Sequence, residues 1–133
     1  MAYPAKAWLA AFVFTQVFEI PVYVLALRHA VRTEHGEPPR TLSRQALAAF
    51  GASAITHPAV WYLIPLIPAS FADPLDAWRE YVVRAEVFAV VVEAVYFHWI
   101  GAFSLRRAFA WSLLANAVSA GLGQLSRAYL HFP

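Results

Sequence analysis

Four apolar stretches dominate this chain, over residues 7–27, 46–68, 82–103 and 108–125. Each is close to the roughly 20 residues that a helix needs to cross the hydrocarbon layer of a bilayer. No water is present there to satisfy open backbone groups, so helices are the economical way across. Composition agrees: of 133 residues, 61% are apolar and only 14% charged, and mean hydropathy is +0.54. A soluble domain is nearer half apolar and a quarter charged, and one core of this size cannot hide the excess. The same scarcity of charge excludes a disordered chain. The expected fold class is therefore all-α: a polytopic membrane protein, one domain over 1–133, built as a four-transmembrane-helix bundle in the lipid bilayer.

The first stretch is not read as a signal peptide. Glu19 and Pro21 interrupt its apolar core, and no small-residue cleavage site follows Leu27. Gly36 and the Pro38–Pro39 pair mark a turn in the hydrophilic connection after it. Asp73 or Asp76 is placed to cap the third helix. Arg28, Arg32, Arg40, Arg44, Arg106 and Arg107 fall in the first and third connections, against Lys6, Arg79, Arg84 and Arg127 on the other side. The richer side faces the cytoplasm, so a bacterial inner membrane with both termini periplasmic is expected. Trp8, Trp61, Trp78, Trp99, Trp111, Tyr3 and Tyr81 lie mostly near span ends, as interface anchors do. Cysteine is absent, which excludes disulfides and thiolate metal sites. A formal charge of +2 gives no case for nucleic acid.

Each span carries a strongly polar residue near its middle: Glu19, His57, Glu93 and Asn116. At about 1.5 Å of rise per residue, the four fall in one layer. Helical spacing extends each into an inward stripe. Phe12, Thr15, Gln16, Glu19 and Tyr23 share a face, as do Ser53, Thr56, His57, Val60 and Trp61. Glu86, Val90, Glu93 and Phe97 form the third stripe, and Ser112, Asn116, Ser119 and Gly123 the fourth. Serines and Asn116 are common helix–helix glue. Two mid-span glutamates are not, because neutral residues do that work at lower cost. Glu86 lies nearer the outer interface, where Arg84 or Arg79 can pair with it. His98 is read as a packing residue, and His29, His35 and His131 as solvated.

Three functions suit such a site. Glu19, His57, Glu93 and Asn116 make an oxygen-and-nitrogen ligand set for a divalent ion such as zinc, manganese or iron. In that case Glu93 and His57 are the candidate catalytic pair for hydrolysis, with Gln16, Thr56, Tyr23, Ser119 and Glu86 as secondary candidates. No HExxH or ExxH pair accompanies them. Alternatively, a mid-span glutamate trades a proton for a cation, as in a proton-coupled transporter working as a homo-oligomer, with Tyr23, Trp61, Tyr62 and Tyr96 offering ring faces to an organic cation. The third reading is an accessory subunit of a larger membrane complex.

The succession EIPVYVLALR, THPAVW, AEVFAVVVEAVYF and SLLANAVSAGLG resembles a group of small, uncharacterised bacterial four-span membrane proteins with a mid-helix THPxxW motif and a glutamate in the third span. The resemblance covers the whole chain and implies the four-span bundle, but brings no function with it. Where that group is expected to carry Asn before the motif, this chain has Ser53, a weaker ligand. The Glu, His and Asn mixture is similar to that of the CAAX-type prenyl proteases, whose EExxxR and HxxxN motifs are absent here. Size and a first-helix glutamate resemble the small multidrug resistance transporters.

Overall fold

A computed structural model describes residues 5–34 and 41–130. Tyr3, His35, Gly36, Pro38, Pro39, Arg40 and His131 lie outside the described residues, as does the side chain of Arg32. The described chain is all-α, with α1 Ala5–Glu34, α2 Leu42–Tyr62, α3 Pro74–Trp99 and α4 Leu105–Leu130. Each helix packs on its neighbour in sequence, and α4 closes the ring on α1. Across the bundle, Tyr23 of α1 meets Glu93 and Phe97 of α3, so the inward stripes share a common interior.

The helix ends follow local chemistry and correct the expected boundaries. The expectation that the second stretch runs helical to residue 68 fails. At Leu63 the N–H still reaches Ala59 O at 2.8 Å, but Pro65 has no N–H and clashes with a preceding helical turn. A short 3₁₀ turn, Ile64–Leu66, takes over. The third helix starts ahead of its apolar span, at Pro74, next to the first of the two expected caps. Asp73 caps it, accepting from Leu75 N at 2.8 Å and Asp76 N at 3.2 Å, and proline suits the first helical turn. It stops at Gly101, whose φ of +69° lets Ala102 N reach back to Phe97 O at 2.9 Å, a left-handed cap that favours glycine.

The interior mixes an apolar cluster around Tyr23, Ala26, Leu27, Phe97 and Phe103 with an unusual number of polar side chains. Glu19, Gln45, Ser53, Thr56, Glu93, Ser112 and Asn116 are buried, while Val83, Val87, Val91 and Val95 form an exposed stripe on α3. Leu9, Val13 and Val17 do the same on α1. Two helical stretches, Ala5–His29 and Leu42–Leu66, are long and apolar enough to cross a membrane. The other two helices carry more polar residues: Arg84, Glu86 and Glu93 on α3, and Ser112, Asn116, Ser119 and Gln124 on α4.

Candidate functional site: a buried carboxylate pair

Glu93 lies in the last third of α3, six residues before Trp99, and is bonded by side chains from all three other helices. Thr56 of α2 donates to Oε1 at 2.9 Å. Asn116 of α4 donates to Oε2 at 2.8 Å, and the Tyr23 hydroxyl of α1 donates to the same oxygen. Ser112 stands 3.5 Å from it while donating chiefly to Val90 O at 3.0 Å. Glu19 of α1 has a matching cradle. Ser53 of α2 donates to Oε2, and Ser119 of α4 donates to Oε1 at 2.7 Å. Ser53 and Thr56 are one turn apart on α2, as are Asn116 and Ser119 on α4. The two carboxyl groups therefore occupy adjacent levels of one interior, at 2% and 1% exposure for Glu19 and Glu93.

The electrostatics of this pair are unusual. Every side chain that meets either carboxyl does so as a donor, and none of them is basic. Ion pairs among the described residues are Arg79–Asp76 at 3.0 Å and Arg84–Glu80, both outside the pair. The expected partnership of Glu86 with Arg79 or Arg84 is thus corrected: each arginine lies within a turn of another acid and bonds it instead.

His57 is buried but stands apart from the carboxylate cradles. Its ring packs among Phe12, Trp8 and Trp61, with centroids 5.2, 5.8 and 5.9 Å away. Its Nε2 is buried without a hydrogen-bond partner, as are both amide atoms of Gln16. Among the described residues no group of three or more His, Asp or Glu is arranged to hold a metal ion. The four residues read as one ligand set are distributed otherwise: Asn116 is a donor to Glu93, and His57 sits in an aromatic cage.

A cavity of about 290 Å³ joins these features. Its lining includes the buried Glu19, Thr56, His57, Glu93, Asn116 and Ser119, the half-buried Glu86, Trp61, Trp78 and Tyr81, and the exposed Arg127. Arg127 is exposed and its guanidinium lies over the Trp78 ring, 5.0 Å from the centroid. The aromatic set expected from sequence is only partly assembled here. Tyr23 is bonded to Glu93, Tyr62 faces Trp8, and the Tyr96 hydroxyl lies against Gly51, which leaves Trp61. Sequence reasoning missed Trp78, Tyr81 and Arg127 as cavity residues. The signal was present, because Trp78 continues the Glu86–Glu93 face by about two turns and Arg127 the Asn116–Gly123 face by about one.

No protein-family model, curated protein or solved structure matches the chain.

Proposed function

We propose that this chain is a four-span protein of a bacterial inner membrane whose Glu19–Glu93 pair exchanges a proton for a cation arriving through the cavity. Membrane insertion of all four helices is supported by the exposed apolar stripes and by the carboxyl, amide and hydroxyl groups buried between the helices, a combination that water does not favour. One observation carries the site reading: two almost fully buried carboxyl groups, ringed by donors and without a basic partner among the described residues, at the inner end of a cavity. An uncompensated charge at such a position costs several kcal/mol. The hydrogen bonds hold the carboxyl groups in place, but only a positive charge neutralises them. A proton or an incoming cation supplies that charge, and exchange between the two is the elementary step of a proton-coupled carrier.

With both termini periplasmic, the Trp78–Arg127 end of the cavity faces the periplasm. A chain this small gains an opposite-facing route by pairing with a second copy, which favours a homo-oligomer over a lone bundle. A zinc, manganese or iron centre, and hydrolysis at it by Glu93 and His57, draw less support because among the described residues no third His, Asp or Glu joins the two glutamates in a metal-holding group. The test is proton flux in vesicles reconstituted with the protein. Under an imposed pH gradient, external cation accelerates proton movement through the wild type, and Glu93→Gln removes that acceleration. Unchanged flux in Glu93→Gln rejects the proposal.

A further inference from the structure

Glu86 is the acid that the carboxylate pair does not use. It lines the same cavity and stands seven residues from Glu93 on one helix face, about 10 Å along the axis. The cavity thus has acids at two depths, Glu19 and Glu93 within and Glu86 further out, against the single basic side chain of Arg127. The space is small, about 290 Å³. That is near the lower end of ligand-binding cavities, which hold about 300–1,000 Å³.

A second observation points to a ligand with N–H groups. His57 lines the inner part of the cavity at 8% exposure, and its Nε2 is buried without a partner. Buried ring nitrogens are normally satisfied. The carboxylates also retain acceptor capacity, since Glu19 receives one hydrogen bond on each oxygen and Glu93 receives one on Oε1. Along the outer part, Trp61, Trp78 and Tyr81 present ring faces, and Arg127 over Trp78 demonstrates that one of those faces accepts a cation.

From this geometry we infer that the cavity binds a linear organic diammonium, one ammonium at Glu19 and Glu93, the other at Glu86, with the alkyl chain against His57 and the aromatic wall. The inference rests on the reading of Glu19 and Glu93 as a cation-exchanging pair and adds the substrate class. A bare metal ion has no use for the second carboxylate level or for the apolar wall between. A bulky polycyclic cation does not suit so small a volume.

Calorimetry on the full-length protein in detergent micelles tests it, with hexamethylenediamine, hexylamine and zinc chloride as the probes. The diamine is expected to bind with a dissociation constant about tenfold or more below that of hexylamine. Glu86→Gln brings the diamine close to hexylamine, and Asp76→Asn, outside the cavity, alters neither. Circular dichroism and elution volume confirm that the Glu86→Gln variant is folded. Equal affinities for the two amines, diamine binding that survives Glu86→Gln, or binding of zinc alone each overturns the diammonium assignment. Proton flux that still depends on Glu93 in those cases leaves the exchange reading standing, so the two fail separately.

Discussion

Glu80 and Glu93 stand on the same helix, and hydroxyl groups donate to both, yet the two carboxylates are balanced in different ways. Glu80 is at the rim, where Ser70 donates to it from both hydroxyl and backbone N–H at 2.7 Å and Arg84 pairs with it. The same arginine donates to Pro68 O at 2.9 Å, so the chain after the 3₁₀ turn is clasped to α3. The Ser70 hydroxyl and N–H, helped by Arg84, hold Glu80 below the usual carboxylate range. Glu93 has more donors from more helices but no arginine among them. The rim acid brings its positive partner in the chain, whereas the interior acids leave that place to something that comes and goes. Structural clasp and exchange site are thus told apart by the partner's charge, not by the number of hydrogen bonds.

Removing the interior acid is the strongest way to break this comparison. Glu93→Ala leaves Tyr23, Thr56 and Asn116 without their shared acceptor. Each stranded buried group costs about 1–3 kcal/mol, so a loss on the order of 3 kcal/mol or more is expected, read from helix unfolding in a denaturing detergent titration. A loss no larger than that of Glu80→Ala breaks the contrast. Ser53→Ala and Ser119→Ala sharpen it at the next level. Each removes one donor to Glu19 and is expected to cost about 1 kcal/mol. Because both act on one carboxyl, the double variant departs from additivity by about 0.5 kcal/mol or more, and strict additivity separates their roles.

The smallest effect belongs to the rim and carries a pH signature. Glu80 titrates lower in the folded chain than in the unfolded one, so its contribution is fully present above the ordinary glutamate value of about 4.3. It disappears as pH falls through the lower folded value. Thermal unfolding of Glu80→Gln is therefore expected below that of the wild type at neutral pH, with the two converging in acid. A gap that persists unchanged in acid argues against the ionised clasp.

Much of the interior was legible in sequence because helical spacing is rigid. Gln16, Glu19, Ser53, Thr56, His57, Glu93, Asn116 and Ser119 all fall on the buried faces that three- and four-residue spacing assigns them. What spacing cannot give is rotation between helices. His57 shares a face with Thr56, but a small turn of α2 hands Thr56 to Glu93 and His57 to Trp8 and Phe12. Ser53, read as a weak ligand, gains its importance as a donor to Glu19 from α1 lying alongside. Pairing of charges near helix ends was equally ambiguous, since Arg84 has Glu80 and Glu86 within reach along the chain. The outcome depended on Ser70 folding back to share Glu80.

The account stands on Glu93 exchanging its positive partner while Glu80 keeps its own, and proton flux in reconstituted vesicles measures that contrast directly. Wild type and Glu80→Gln are expected to show the same cation-stimulated proton movement across an imposed pH gradient, and Glu93→Gln none above empty vesicles. Stimulated flux that persists in Glu93→Gln, or is absent from the wild type, contradicts it.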